Sequence, residues 1–259
     1  MTPSSAVSVD EDTDTERGSV KSLVKALDIL EAVAKASTPP RIADVAIASG
    51  ISRPTAYRIV QTLVAKGYLA QDEQSGRLSS GFSLLMLSAG LLDRNRLRIE
   101  ALPHLQSLAN LTGERTNLGI LHRNKVLYLA GVEKPTLPTI YSRFGKSAPA
   151  HCCSLGKAIL AYLPQQELQE LLAAEPLRAE TPNSITSMPR FVEDLELTRQ
   201  RGYAIDEGEH QENACCIATT IFCQGRAVGA IGVSAPKLEP IVGHIPILRH
   251  TAELISHVL

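Results

Sequence analysis

Arg53, Thr55, Tyr57 and Arg58 bring guanidinium, hydroxyl and phenol groups together within six residues of the chain. Guanidinium groups form paired hydrogen bonds with guanine edges and with phosphates, and hydroxyl groups bond to phosphates. No aspartate or glutamate lies between residues 45 and 71, so no carboxylate would repel a polyanion in this stretch. These residue types at this spacing predict contacts with double-stranded DNA.

The element that must position these side chains is a helix from Ser52 to Gly67. Its apolar residues recur at helical spacing and share the face opposite the polar one: Ala56, Ile59, Val60 and Leu63. A shorter helix that ends at Gly50 precedes it, and Pro54 and Ser52 are typical of a helix start. Strands at 68–70 and 77–79, joined by a turn, predict a wing. An ordinary helical hairpin remains the alternative to this winged helix-turn-helix.

Seven residues are expected to touch DNA: Ser52, Arg53, Thr55, Tyr57, Arg58, Lys66 and Arg77. Arg53 and Arg58 are the candidates for guanine or phosphate contacts, because their helix would lie in the major groove. Lys66 and Arg77 would touch the sugar-phosphate backbone from the end of the helix and from the wing. A solvent-exposed surface role is the alternative for each residue.

Length and composition allow two domains of ordinary size. The chain has 259 residues and a formal net charge of −1, so DNA binding must rest on a local basic surface. No apolar run reaches the ~20 residues that a membrane helix needs, and no signal pattern opens the chain. Five cysteines, two pairs of them adjacent, make a poor disulfide framework and fit a reducing cytoplasm. No cofactor and no membrane partner are expected.

The chain divides by pattern into four segments: an acidic, disordered tail at 1–18, the winged helix-turn-helix at 19–81, a linker helix at 82–96 and a larger domain at 97–259. The helix predicted at 20–35 carries an apolar stripe of Leu23, Leu27, Leu30 and Ala34. Residues 82–92 are apolar on too many sides for a solvated linker, which predicts dimerisation there. Burial inside its own domain is the alternative.

Residues 97–259 alternate between strand and helix patterns. Strands are expected at 116–122, 125–130, 139–144, 217–223 and 227–233, and helices at 101–111, 153–163, 165–174, 189–201 and 247–259. Hairpins with helices between them predict an α+β fold, in which helices pack on an antiparallel sheet.

Several segments, in this order and spacing, resemble the IclR family of bacterial transcription regulators. They are S-L-V-K-A-L-D-I-L at 22–30, I-S-R-P-T-A-Y-R-I-V at 51–60, A-L-P-H-L-Q-S-L at 101–108, Y-S-R-F-G at 141–145, H-C-C-S-L-G-K-A at 151–158, R-G-Y-A-I-D-E-G-E at 201–209, C-I-A at 216–218 and G-A-I-G-V-S at 229–234. The resemblance implies a winged helix-turn-helix, a linker helix and a C-terminal GAF-like domain that binds a small-molecule effector. It also implies homodimers, or dimers of dimers, on operator DNA. A repressor is favoured over an activator by analogy.

The resemblance also implies an effector acid at the start of the helix that follows His151, where main-chain N–H groups attract anions. Its partners would be the main chain of Ser154 and Leu155 and the positions of Asp206, Cys216, Gly232 and Ser234. Two departures from the family pattern are the bulk of Leu155 and the missing hydroxyl at Gly232. They predict an acid with a sizeable apolar or aromatic body, which Tyr128 and Phe222 would line.

Other chemistry has weaker support. Cys152, Cys153, Cys216 and His151 suggest a metal or thiol-redox sensor, but no pair has the spacing typical of metal ligands. No catalytic fingerprint is present, which argues against an enzyme. A solvated loop explains the polar cluster of Glu207, Glu209, His210 and Glu212. Arg143 and Lys146 would attract the acid, pair across a subunit contact or face solvent.

Overall fold

The computed structural model describes residues 20–133 and 145–259, which form two compact units that meet in sequence at Leu91 and Leu92. The predicted tail, the strand predicted at 139–144 and Arg143 lie outside the described residues. No helix within the described ranges is long and apolar enough to cross a membrane.

The first unit is helical with a small hairpin. Its elements are α1 (Lys21–Lys35), α2 (Ile42–Ala48), α3 (Arg53–Ala65), β1 (Leu69–Gln71), β2 (Leu78–Ser80) and α4 (Phe82–Leu92). Gly50 adopts a positive φ of 62°, which lets the chain turn sharply between α2 and α3. β1 and β2 pair antiparallel, so the predicted winged helix-turn-helix is confirmed and the plain helical hairpin is wrong.

The buried face of α3 is the predicted one. Ala56, Val60 and Leu63 are buried, and Ile59 packs against the same cluster. The stripe predicted on α1 is wrong in part, since Leu23 and Leu27 are mostly exposed while Ile29 and Val33 are buried. Helix α1 is apolar around more than one face, so periodicity alone cannot tell which face meets α2, α3 and β2.

Helix α4 has no buried residue, although it is almost wholly apolar. Phe82, Leu85, Met86 and Leu91 are each more than half exposed. The helix is tied to the first unit at its start, where Ser83 Oγ donates to the carbonyl of Lys66 at 2.9 Å. It ends at Leu92, and the next helix begins at Arg96, so a turn interrupts the segment predicted as the linker helix.

The second unit is a six-stranded antiparallel sheet with helices on both faces. Its elements are α5 (Arg96–Thr112), β3 (Arg115–His122), β4 (Lys125–Val132), β5 (Ser147–Pro149), α6 (Ser154–Leu160), α7 (Gln165–Ala174), α8 (Met188–Arg201), β6 (Ala204–Glu207), β7 (Cys215–Cys223), β8 (Arg226–Ala235), α9 (Glu239–Val242) and α10 (Ile245–Val258). The strand order is β5-β4-β3-β8-β7-β6. The predicted α+β class is confirmed.

The sheet separates two apolar cores. On one face, α5 and α10 pack over Leu118, Ile217 and Ile231. On the other, α6 and α8 pack over Val126, Ala218 and Ala230. Alternate residues of each strand supply opposite cores, as the two-residue period of a strand requires.

Among the helices predicted in this unit, two ends differ from prediction by three residues or more. Helix α6 ends at Leu160 rather than at residue 163, because the chain turns just before Pro164. Helix α5 begins at Arg96, where the Asn95 side chain accepts a hydrogen bond from the main-chain N–H of Arg98 at 2.9 Å. The short strands β5 and β6 were not predicted, since three or four residues show no clear alternation.

Candidate functional site

The outward face of α3 carries the predicted DNA-contacting side chains. Arg53, Tyr57 and Arg58 are exposed on it, and none forms a hydrogen bond that would hold it against the protein surface in the described chain. At the helix start, the hydroxyl groups of Ser52 and Thr55 lie 2.9 Å apart and bond to each other. The surface therefore offers two guanidinium groups beside a pair of hydroxyls.

Lys66 and Arg77 flank this surface. Lys66 is exposed and caps the C-terminal end of α3. Arg77 is also exposed, but its Nη1 donates to the carbonyl of Pro39 at 2.6 Å. That bond, together with an isolated antiparallel β-bridge between the main chains of Arg41 and Arg77, ties the wing to the segment before α2. The guanidinium of Arg77 therefore has a structural bond that its sequence position did not suggest.

The second unit encloses a small cavity between the start of α6, the sheet and the loop that follows β6. It is lined by Asn117, Tyr128, Cys153, Ser154, Leu155, Asp206, His210, Gln211, Ala214, Cys216, Gly232, Val233 and Ser234. Its volume is about 10 Å³, which is room for about one water molecule. Polar groups from both the strands and the loop surround it.

Strand register explains how distant residues meet at this cavity. Asp206, Cys216 and Ser234 are directly opposite one another on β6, β7 and β8. Asn117 is opposite Gly232 on β3 and β8, and its Nδ2 donates to Ser234 Oγ at 3.3 Å. Three strands thus present a row of polar side chains beneath the buried start of α6, and a fourth strand adds Asn117 diagonally next to Ser234.

Seven of the eight residues predicted for the effector line this cavity, and Phe222 does not. Phe222 lies six residues along β7 from Cys216, a separation of about 20 Å in an extended strand. There its ring packs edge-on against Tyr162, with ring centroids 5.0 Å apart. The prediction for Phe222 is wrong because aromatic character does not reveal where along a strand a residue falls.

Six lining residues were not predicted: Asn117, Cys153, His210, Gln211, Ala214 and Val233. The sequence does carry a signal for Asn117. In the predicted strand at 116–122, Thr116 and Asn117 are polar and the four residues that follow are apolar. His210 and Gln211 reach the cavity because Gly208 turns the chain with a φ of 70° just after β6. That turn had no distinctive pattern in the sequence.

Leu155 fills most of the space over the sheet. A methyl group placed on Gly232 would lie 3.4 Å from Leu155 Cδ2, and one placed on Gly119 would lie 3.2 Å from Leu155 Cδ1. The leucine side chain therefore packs over two glycines on neighbouring strands. The main chain of β7 is a closer obstacle to a side chain at Gly232, since a methyl group there would lie 2.8 Å from the carbonyl oxygen of Ile217.

Glu209 is buried, whereas Glu207 and Glu212 are exposed, so a solvated loop explains only part of the polar cluster. Oε1 of Glu209 lies 2.5 Å from Nζ of Lys157, a lysine on α6 that is 1% exposed. Burial raises the pKa of Glu209 to about 7, and the nearby ammonium of Lys157 only partly offsets this effect. Lys157 was not predicted from the sequence as a functional residue.

Burial disfavours the thiolate form of three of the five cysteines. Burial raises the pKa of the Cys152 thiol to about 12, and it also raises the pKa of Cys153 and Cys215. Metal ligation and redox exchange both need the thiolate, which these sites disfavour. Across the described ranges, no group of three or more His, Cys, Asp or Glu residues could hold a metal ion.

Both units match known families. Residues 22–73 match the IclR helix-turn-helix domain, and residues 89–257 match the family described as bacterial transcriptional regulator IclR C-terminal. The glycerol operon regulatory protein of Streptomyces coelicolor is 34% identical over 216 residues, which cover 83% of this chain and 84% of that protein. The transcriptional repressor AllR of Escherichia coli K12 is 27% identical over 244 residues, covering 92% and 90%.

A solved structure of an IclR homolog from Microbacterium hydrocarbonoxydans, complexed with 4-hydroxybenzoate, has the same fold. Its TM-score is 0.78 at 25% sequence identity, covering 91% of this chain and 98% of that one. The matched families and these relatives are transcription regulators rather than enzymes. The chain belongs to the IclR family of bacterial transcription regulators.

Proposed function

We propose that this regulator is a repressor whose affinity for operator DNA is set by a small organic acid bound in the cavity beneath α6. The observation that carries the proposal is the row of Asp206, Cys216 and Ser234 across three strands, facing the buried main chain of Ser154 and Leu155. Repression is supported by the relative AllR, which is a repressor. The protein would act on chromosomal DNA in the cytoplasm.

The effector we propose is an acid with an apolar or aromatic body. Leu155 and Tyr128 supply apolar lining, and the homolog from Microbacterium binds an aromatic acid. A cavity of about 10 Å³ is far too small for a benzoate ring. Binding therefore requires the Leu155 or Tyr128 side chain to move, and that movement links occupancy to the conformation of the domain.

DNA would be read by α3 in the major groove. In this proposal Arg53 and Arg58 contact bases or phosphates, and Ser52, Thr55 and Tyr57 add phosphate or thymine-methyl contacts. Lys66 and Arg77 contact the backbone. The homodimer, or dimer of dimers, that would present two such helices is proposed to form through α4, whose apolar surface is exposed. In this scheme residues 19–81 bind DNA, residues 82–96 link and residues 97–259 bind the effector.

Calorimetric titration with glyoxylate, pyruvate and a panel of aromatic acids that includes 4-hydroxybenzoate tests the effector class. We expect at least one aromatic acid to bind more tightly than either keto acid. Ser234→Ala should weaken that binding, whereas Ser147→Ala, the same change on an exposed residue of β5, should leave it unchanged. Tight binding of glyoxylate alone would rule out the proposed class.

A further inference from the structure

Lys157 is a fully buried lysine that does not line the effector cavity, so the proposed binding of the effector does not use its charge. Its Nζ lies 2.5 Å from Glu209 Oε1 and 3.0 Å from Asp194 Oδ2, and it is 1% exposed. Taking an ion pair out of water is costly, and apolar residues of similar size often fill such a space at least as stably. A buried pair at this position therefore calls for a role other than stability.

The pair joins two walls of the cavity. Lys157 lies on α6, one turn beyond Ser154 and Leu155, which line the cavity. Glu209 lies in the loop after β6, and its main-chain N–H donates to Oδ1 of Asp206 at 2.8 Å. Asp206, His210 and Gln211 line the cavity from that side. The ion pair thus connects the helix start to the turn at 206–211.

The main chain of the turn is held from its other side by two hydroxyl groups. Thr181 Oγ1 donates to the carbonyl of Gly208 at 2.6 Å, and Ser184 Oγ donates to that of Glu209 at 2.6 Å. The side chain of Glu209 is held by Lys157, while its Oε2 is buried with no hydrogen-bond partner in the described chain. The contact with Lys157 is therefore what holds the Glu209 side chain in place.

We propose that Lys157 and Glu209 are positioning residues, whose buried hydrogen bond from Nζ to Oε1 holds the turn at 206–211 against the start of α6 and so shapes the effector cavity. The consequence for binding rests on the proposed function, but the restraint on the turn does not. Neither side chain touches the effector in this scheme. Each acts through the residues that line the cavity.

The pair has a pH signature. The charged and titratable groups around Glu209 are Lys157 from α6, Asp194 from α8, with Arg201 behind it, Asp206 from β6 and the next residue of the turn, His210. Burial, aided by the two aspartates, raises the pKa of Glu209 to about 7, above its ordinary value. When the turn opens, Glu209 meets water and regains its ordinary pKa, so the closed turn binds the proton more tightly. The closed turn is therefore most stable at low pH, where the neutral carboxyl still accepts the hydrogen bond from Lys157, and it loses stability as the pH rises toward 7.

Hydrogen exchange of the intact protein tests the restraint without any ligand. In wild type, the protection of amides at 206–211, corrected for intrinsic rates, should fall at least about threefold from pH 5.5 to 7 and then level off. In Glu209→Gln most of this fall should disappear, whereas a contribution from His210 would remain in both proteins. A wild-type profile that is already flat, or one that Glu209→Gln leaves unchanged, would overturn the proposal even if no other variant folds.

The apolar double variant Lys157→Met with Glu209→Met separates positioning from stability. We expect at least tenfold faster exchange at 206–211, an unfolding temperature close to that of wild type and no change in α10. The matched control replaces the pair of Arg115 and Glu133, 2.7 Å apart, by two methionines and should leave 206–211 unchanged. Unaltered exchange at 206–211 in a folded Lys157→Met and Glu209→Met protein would count against the restraint.

Calorimetry with 4-hydroxybenzoate as the probe then separates this proposal from the proposed function. If wild type binds the probe, the apolar double variant should bind it at least about fivefold more weakly, and equal affinity would contradict positioning. If wild type binds none of the acids, the proposed effector class fails, while the exchange results still decide whether the pair holds the turn.

Discussion

Gly156 shows how a single residue sets the geometry around the effector cavity. It lies in the first turn of α6, where the main chain of Ala150 passes against it, and a methyl group there would be 2.5 Å from Ala150 Cα. The close approach lets Ser154 and Leu155 face the sheet. The position needs glycine because there is no room for a side chain, and not because its φ is positive.

Gly156→Ala should therefore destabilise the protein by about 3 kcal/mol or more, because the clash is with main chain that cannot rotate away. Gly243→Ala is the matched control, since a methyl group there meets no atom within 4 Å. Chemical denaturation of both variants measures the difference. Equal free energies of unfolding would mean that α6 can shift to accommodate the methyl group.

A second prediction at the scale of one residue concerns Arg58, whose side chain lies on the exposed face of α3. Arg58→Ala should weaken binding to a duplex selected from a random library by about 1–3 kcal/mol. Arg190→Ala, the same change on an exposed residue of α8, should have no effect. Fluorescence anisotropy gives both affinities, and a folded Arg58→Ala protein with wild-type affinity would exclude Arg58 from the DNA contact.

At the scale of an element, α4 stands out because its sequence is that of a buried helix and its surface is exposed. A helix with no buried residue gains nothing from its apolar side chains within one chain. A second subunit would remove that surface from water.

Leu85→Glu should therefore shift the protein toward monomer in sedimentation experiments, since it places a charge in the proposed contact. Leu111→Glu is the control, because Leu111 is similarly exposed on α5, at 70% against 63% for Leu85. Dissociation by Leu111→Glu alone would move the subunit contact away from α4.

At the scale of the whole molecule, the acidic segment before α1 decides the sign of the net charge. Residues 1–18 carry Asp10, Glu11, Asp12, Asp14 and Glu16 against a single arginine, in a chain whose net charge is −1. These residues sum to a charge of −4, so the rest of the chain has a net charge of −1 − (−4) = +3. The segment therefore weakens long-range attraction to DNA phosphates.

Removing residues 1–18 should strengthen binding to non-specific duplex DNA by about twofold to tenfold at about 50 mM salt, and the gain should shrink at high salt. A full-length variant whose five tail acids become amides should show the same gain. If the truncated protein gains affinity and the amide variant does not, chain length rather than charge is responsible.

The sequence by itself determined the winged helix-turn-helix, the α+β class and most helix bounds, because these depend on local periodicity, caps and turns. Helix α3 and the hairpin of β3 and β4 were predicted almost to the residue. Six of the seven correctly placed effector residues were predicted through the family resemblance, and the seventh, Tyr128, was predicted from its aromatic type.

Only the tertiary structure decided which distant residues meet. The pairing of Lys157 with Glu209, 52 residues apart, and the place of Asn117 beside Ser234 depend on strand register and on how α6 packs over the sheet. The misplaced Phe222 and the exposed Leu23 and Leu27 have the same origin. Burial is a property of the packed assembly of elements, and a residue's type does not carry that information.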